Sequence, residues 1–349
     1  MRQPQNAKKS VTYVPGIKCH PCTRIIPHTQ LPIQCNIEVI IEYFAPVQVV
    51  FRRVWDAIKG REGVFAEILI YGLVTSAVYA MLALGLTLII GIARVMNLAH
   101  GAFYMLGAYA LYTTFSSLKL PLFISVPISL LVVVLIAILV DIFCLRPIKG
   151  DRFHGILVIT LILALFFEEV IMLGYGPQPR AIPSYISGRI LFAGVSVPSQ
   201  RLLVVVVSFL VISGLWAFIS KTRIGGAILS VSQDPEAAAL MGINSNKIIL
   251  LVNGLAALLA SLAGILVVPF LSASPVMWIM PFAKAFTIVL LGGLGSIEGS
   301  ILAAFILGYS ETIVSFAISP RATELVAMVI LFLVIILKPS GLMGSKVEG

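Results

Sequence analysis

Residues 68–110 read ILIYGLVTSAVYAMLALGLTLIIGIARVMNLAHGAFYMLGAYA, and this stretch decides the class of fold. It opens with about 25 apolar or small residues, enough to cross a hydrocarbon core of about 30 Å at 1.5 Å rise per residue. Arg94, Asn97, His100 and Gly101 then interrupt it before hydrophobicity resumes. Polar side chains at membrane depth are costly unless they face protein or a watery cavity. A spanning helix that meets a polar, glycine-marked break has the pattern of a solute pathway through a helical bundle.

Composition agrees. Hydrophobic residues make up 59% of the chain and charged residues 11%, which excludes an ordinary soluble globular protein. Residues 64–349 read as one membrane domain, and residues 1–63 as a separate amino-terminal arm. The arm holds nine of the 24 Lys and Arg, three of the four Cys and two of the four His, with no apolar run long enough to span. Nine basic residues face four acidic ones in the arm, against 15 and 11 in the remainder. In a membrane chain such an excess bears on orientation, and no independent feature points to nucleic acid. Cys19, Cys22, His28 and Cys35 include the C-x-x-C spacing of zinc ligands. The arm lacks the periodicity of a folded domain, so a disordered arm or a mis-assigned start is the preferred reading, and no metal or cofactor is expected. It also lacks the basic, apolar, small-residue order of a cleavable signal.

The apolar stretches after residue 64 are 66–93, 101–118, 121–145, 155–175, 202–220, 248–270, 285–297, 300–318 and 322–337. Lengths near 20 residues favour helices over buried strands. The stretches 101–118 and 285–297 are short and rich in Gly or Ala, which suits half-helices or tilted buried ones. The expected fold is an all-α polytopic membrane helical bundle of about eight spans, some of its helices short or broken. Lys and Arg in short loops set orientation. Arg52, Arg53, Lys59 and Arg61 precede the first stretch, Arg146, Lys149 and Arg152 follow the third, Lys221, Arg223 and Lys247 bracket a later loop, and Lys338 and Lys346 follow the last. All fall on one side, the cytoplasm, if one of the first two stretches fails to cross fully. The loop 176–200, turn-rich through its Gly and Pro, then lies outside.

Residues 221–247, KTRIGGAILSVSQDPEAAALMGINSNK, form the longest internal polar interruption on the inner side. Asp234 suits an N-cap, Pro235 the first helical position and Gly242 the C′ position. Glu236 to Met241 would make a helix of about two turns, too short to be stable alone in water. Its Ala237, Ala238, Ala239, Leu240 and Met241 give it a small, smooth, apolar surface. Such a helix suits insertion into a groove on a partner protein; the alternative is a connector packed on its own bundle.

Here a family resemblance becomes specific. Glu236-Ala237-Ala238, three residues, then Gly242 resembles the E-A-A-x-x-x-G loop of permeases of ATP-binding cassette importers, although no Leu-Pro follows downstream. ALGLTLIIGIARVMNLAHGAFYMLGAY, residues 83–109, is similar to the amino-terminal signature of the branched-chain amino acid permease family of the Liv type. AFTIVLLGGLGSIEGSILAAFILGYSE, residues 285–311, is similar to its carboxy-terminal signature. The resemblance runs with gaps over 66–343 and leaves 1–63 uncovered. The N-x-A-H-G form at Asn97 to Gly101 resembles the first permease of the heterodimer. A start at the codon read as Val54 or Val64 would leave a permease of ordinary family length. The resemblance implies a chain of the cytoplasmic membrane that pairs with a second permease subunit. It also implies separate ATP-binding cassette ATPase subunits and an extracytoplasmic solute-binding protein as partners, with membrane lipid around the bundle. The sequence has no G-x-x-x-x-G-K-[ST] loop, so hydrolysis would need a separate chain. A secondary carrier or channel for a small polar solute such as urea or an amide is the alternative. No nucleophile–base or metal constellation outside the arm points to an enzyme.

Asn97, His100 and Gly101 are the candidate pathway residues; Asn97 and His100 either line the pathway or satisfy backbone groups freed at a broken helix. Glu236, Ala237, Ala238 and Gly242 are the candidate ATPase-coupling residues. Glu168 and Glu169 read as an interfacial residue and a partner for Arg180 or Arg189, with a proton or cation site as the sharper alternative. Asp141 is expected to pair with Arg146 at the interface, and Glu311 to face the bundle in a structural hydrogen bond. Gly292, Gly293, Gly295 and Gly299 suit a sharp turn and tight packing. Gly101 and Gly299 occupy similar places in similar segments, which hints at an internal repeat.

Overall fold

The computed structural model describes residues 62–148, 152–192, 195–338 and 341–343, all within one compact unit at residues 50–349. Cys19, Cys22, His28, Cys35 and the basic residues before Glu62 lie outside the described residues. The chain builds α1 (Glu62–Ala93), α2 (Ala99–Leu111, continued by a π-helical turn over Tyr112–Ser117), α3 (Leu122–Val140, continued likewise over Asp141–Leu145) and α4 (Arg152–Tyr175). An antiparallel hairpin follows, β1 (Arg189–Phe192) and β2 (Val195–Pro198), with Arg189 opposite Pro198. Then come α5 (Ser199–Lys221), α6 (Arg223–Gln233), α7 (Pro235–Leu240), α8 (Ser245–Leu271), α9 (Ile279–Gly292), α10 (Ile297–Ala317) and α11 (Thr323–Leu337).

Six of these helices, α1, α3, α4, α5, α8 and α10, are long and apolar enough to cross a membrane. The shorter α2, α9 and α11 have 13, 14 and 15 residues. The fold is thus the all-α polytopic bundle with short helices, because a helix satisfies its own backbone polar groups where lipid supplies no partner. The apolar run placed at 285–297 is displaced: its helix is 279–292, and Gly293 and Gly295 adopt positive φ in the turn that follows.

Burial separates the centre of the bundle from its rim. The most apolar window of α1 is 78% buried and that of α8 67%, against 22% for α4 and for α5. On the rim Leu131, Leu135 and Leu139 of α3, Phe166 of α4 and Phe209 of α5 are exposed. An apolar surface of that extent belongs against lipid.

Small residues bring the central helices together. Gly72 of α1 lies on the Tyr309 ring of α10, Gly308 of α10 on Ser76 of α1, and Gly91 on Gly295. Thr87 and Ser300 hydroxyls join the same interface at 2.7 Å. As the number rises along α1 it falls along α10, so the two helices are antiparallel over their whole length. Where α2 crosses α8, a Cβ on Gly264 would collide with the Tyr104 carbonyl, and one on Gly107 with the backbone of Ser261. Small residues permit this approach, which matters in lipid, where apolar burial gives no drive for association. Gly101 and Gly299 are each the third residue of their helix, α2 and α10.

The direction of α1 differs from the orientation expected if one early stretch stopped short. Its amino-terminal end packs with the hairpin, through Ile70 with Val195 and Val197, and with the start of α5, where the Arg201 guanidinium lies 4.2 Å from the Tyr71 ring centre. Its carboxy-terminal end meets the 221–247 segment through Arg94. α1 therefore runs from the hairpin face to the Lys- and Arg-bearing loop face, and α2 runs back. Tyr109 and Tyr112 reach Tyr175 at the far end of α4, while Leu98 bonds Thr160 near its start. Neither early stretch stops short, so Glu62 begins on the face opposite Arg146, Lys221, Arg223 and Lys247. We call the loop face inner, following its Lys and Arg.

Candidate functional site

The inner face carries two helices where one was expected. α6 was missed because Gly225-Gly226 and the serines read as a loop. Its Gly225, Ile228 and Val231 are buried at three-residue spacing, and the Thr222 hydroxyl caps it by accepting from the Gly225 N–H at 3.0 Å. Contact with the bundle makes this segment a helix, with its apolar stripe inward. α7 follows the expected chemistry closely. The Asp234 carboxylate accepts from the Glu236 and Ala237 N–H groups at 2.9 and 3.1 Å, and Pro235 takes the first position. At the other end Gly242 has φ +83°, with Gly242 N–H donating to the Ala239 carbonyl and Ile243 N–H to that of Ala238, both at 3.0 Å. That pair of bonds is a Schellman cap, which glycine accommodates without Cβ strain.

α7 presents two unlike faces. Ala238 is 4% exposed and packs in a cluster with Leu84, Leu88, Ile92 and Ile228. Leu240 and Met241 are 90% and 83% exposed, and Glu236, Ala237, Ala239 and Gly242 are exposed beside them. Of the four residues singled out here, Ala238 therefore seats the helix on its own bundle, while Glu236, Ala237 and Gly242 stand at the surface. Leu240 and Met241 carry the largest exposed apolar area of this short helix.

The interruption after α1 spans residues 94–98. Arg94 adopts a left-handed backbone, φ 51°, and its Nη2 donates to the Ser232 and Gln233 carbonyls at 3.3 and 3.2 Å. Those are last-turn carbonyls of α6, unsatisfied within the helix and electronegative. The break in α1 is thereby tied to the segment that leads into α7.

Asn97 and His100 part company. Asn97 is 3% exposed, its Oδ1 has no hydrogen-bond partner, and it lines a cavity of about 140 Å³ with Asp141, Arg146, Asn246 and Asn253. His100 lies inside α2, fully buried, and its Nε2 is 3.0 Å from the Leu82 carbonyl. A carbonyl only accepts, so that nitrogen carries the proton. The ring also lies over Gly85, where a Cβ would strike it. Gly101 packs on Trp278 and Phe282 at the start of α9. Asn97 faces a small cavity of mixed polar and apolar lining at the inner end, whereas His100 and Gly101 join helices.

The acidic residues sort differently from their sequence spacing. Asp141 does pair with Arg146, Nε to Oδ2 at 3.1 Å, but it is 3% exposed and also accepts from Asn253 Nδ2 at 2.6 Å. It is a buried, doubly satisfied carboxylate, with no place at the interface. Glu168 pairs with neither Arg180 nor Arg189 and accepts from Trp278 Nε1 at 2.8 Å. Arg180 donates to the Tyr175 carbonyl, and its backbone bridges to Ala273. Glu311 does face the bundle, and its partners are Tyr79 at 2.7 Å and Lys284 at 2.8 Å. Lys284 escaped notice in the sequence, yet a lysine within the apolar run of α9 is costly enough to have signalled a buried partner. Among the described residues no group of three or more His, Cys, Asp or Glu is placed to hold a metal.

Comparison with known proteins agrees with this architecture. Residues 68–337 match the family model described as branched-chain amino acid transport system, permease component. The chain is 31% identical over 294 residues to the high-affinity branched-chain amino acid transport system permease protein BraD of Pseudomonas aeruginosa, an alignment covering 80% of this chain and 96% of that one. It is 28% identical over the same length to the permease protein LivH of Escherichia coli K12, with the same shares covered. It is 26% identical over 283 residues to the ribose import permease protein RbsC of Haemophilus influenzae, covering 78% of this chain and 84% of that one. With a helical bundle of membrane-spanning length and a family match over most of the described residues, this chain belongs to the permease components of branched-chain amino acid transport systems.

Proposed function

We propose that this chain is the first permease of a heterodimer in an ATP-driven importer of branched-chain or related amino acids. It works with a second permease subunit, separate ATP-binding cassette ATPases and an extracytoplasmic solute-binding protein. The observation that carries this reading is α7, a doubly capped two-turn helix on the inner face that buries Ala238 and leaves Leu240 and Met241 bare. So much exposed apolar surface on so short a helix fits a groove in a partner, since a helix-in-groove contact buries one apolar face. Glu236, Ala237 and Gly242 form the coupling surface with them, and Ala238 holds the helix in place. Arg94 joins this unit to the break before α2, where Asn97 borders the inner cavity. His100 and Gly101 act on the pathway by setting how α2 sits against α1 and α9. The ribose permease among the relatives supports a scaffold compatible with more than one solute, while the relatives that align over 294 residues, BraD and LivH, are named for branched-chain amino acids.

The test is L240D together with M241D in the assembled complex. Loss of ATPase association, with the chain still inserted at native abundance, is the expected result. Co-purification of the ATPase and leucine uptake at native levels would remove α7 from the coupling role.

A further inference from the structure

A second cavity, of about 460 Å³, lies on the hairpin side of the bundle, away from the Asn97 break. Its size falls within the range of small-molecule sites, about 300–1,000 Å³. Arg201, the third residue of α5, stands among its lining residues at the outer end, and Tyr79, Tyr104 and Lys284 line it more deeply. Tyr79 and Glu311 each stand 14 residues from the inner ends of α1 and α10, Ala93 and Ile297, about 21 Å along the helix. The cavity therefore reaches the middle of the bundle. Val78, Val267, Phe270 and Met280 supply an apolar wall, and Ser272 and Ser274 a polar one.

The charges in this cavity are incompletely used. Lys284 donates to the Tyr79 hydroxyl and to Glu311 Oε2, both at 2.8 Å, which occupies two of its three ammonium protons. Tyr79 in turn donates to Glu311 Oε2 at 2.7 Å. Glu311 Oε1 is buried with no partner. An ion pair kept for structure alone would be expected to satisfy every buried oxygen, because an unpaired one carries its full desolvation penalty. Arg201 stacks on Tyr71 and Phe270, and among the described residues no carboxylate forms a salt bridge with it. Two cationic side chains thus line the cavity, Arg201 and a Lys284 held from behind by Glu311, and among the described residues no carboxylate lines it.

We propose that this outward cavity is a solute subsite within the permease, where the Lys284 ammonium receives the carboxylate of an amino-acid-sized solute, Arg201 at the outer end draws the anion in, and the apolar wall takes its aliphatic side chain. Glu311 and Tyr79 are positioning residues that hold the ammonium at mid-depth. The proposal rests on the importer reading for the direction of flow and the identity of the solute. The cationic, carboxylate-accepting cavity stands on its own geometry.

Two experiments test it. The first compares K284M with K284M/E311Q in the full importer complex in proteoliposomes. The single variant leaves a buried carboxylate without its cation and is expected to accumulate poorly. The double variant keeps a neutral hydrogen-bonded pair with Tyr79 and is expected to regain native abundance, while leucine uptake stays at least about tenfold low. Uptake at half the native level or more in the double variant would reduce Lys284 to a structural role and overturn the proposal. The second experiment uses S274C in a chain whose four native cysteines are replaced by alanine. With each rate divided by that reagent's rate toward a free small thiol, an anionic sulfonatoethyl methanethiosulfonate should outpace its cationic trimethylammonioethyl analogue by about tenfold, as a cationic cleft concentrates anions. R201Q should reduce that ratio severalfold. Equal normalised rates, or a ratio unmoved by R201Q, would overturn the proposal even if the double variant failed to accumulate. Absence of ATP-dependent leucine uptake in the native complex would instead count against the importer reading, and the labelling ratio would still decide the cavity.

Discussion

Replacing Arg94 separates two roles that meet at one residue. Its guanidinium makes two bonds to exposed α6 carbonyls at 3.2 and 3.3 Å, near the long end of hydrogen-bond geometry. At the low end of the net scale they contribute about 1 kcal/mol together. Its backbone at φ 51° costs a non-glycine residue about 1 kcal/mol. R94G removes the bonds and the strain together, so the two terms offset and thermal stability should stay within about 0.5 kcal/mol of native. R94A loses the bonds and keeps the strain, so it should be destabilised by about 1 kcal/mol. If Arg94 transmits movement from the coupling segment to the break before α2, R94G should still fold and should waste ATP. The assay is leucine transported per ATP hydrolysed in proteoliposomes, beside a melting curve for each variant. A shift of about 1 kcal/mol in the coupling equilibrium corresponds to about a fivefold fall in that ratio. Native stoichiometry in R94G would refute the transmission role. Equal stability of the glycine and alanine variants would refute the offset between strain and bonding.

G264V should prevent stable assembly of α2 on α8, because its side chain meets the Tyr104 carbonyl; overpacking of about 1–3 kcal/mol or more should appear as low abundance and early thermal aggregation. D141A leaves the buried Asn253 amide unpaired beside a partly exposed Arg146 and should cost about 1–3 kcal/mol, whereas D141N still accepts from Asn253 and should recover much of it; a melting series in which D141N is as destabilised as D141A would refute that recovery and show that the carboxylate's charge is what matters there. Deleting residues 1–53 should leave insertion and uptake essentially intact, since the family match begins at residue 68; a large loss of uptake at normal abundance would give the arm a role and revive zinc or partner binding at Cys19, Cys22, His28 and Cys35.

The helices were largely legible in the sequence because their cause is local. In lipid a segment must satisfy its own backbone, so hydropathy and length alone place α1, α3, α4, α5, α8 and α10 close to their observed bounds. The caps of α7 were legible for the same reason: Asp234, Pro235 and Gly242 act within one or two turns of themselves. What could not be read locally came from the packing. Hydropathy does not change when a span is reversed, so the direction of α1 had to come from its antiparallel contacts with α10 and from Arg94 at Ser232. α6 is a helix because the bundle receives Ile228 and Val231, and isolated its glycines would oppose one. Ala238 looks like its exposed neighbours in sequence, and only the seat of α7 turns it inward. Asp141 with Asn253, Glu168 with Trp278 and Lys284 with Glu311 and Tyr79 join residues far apart along the chain. Each such group had to find a partner because a buried charge or polar group is costly alone, but which partner it found depended on helix crossings set by small residues such as Gly107 and Gly264.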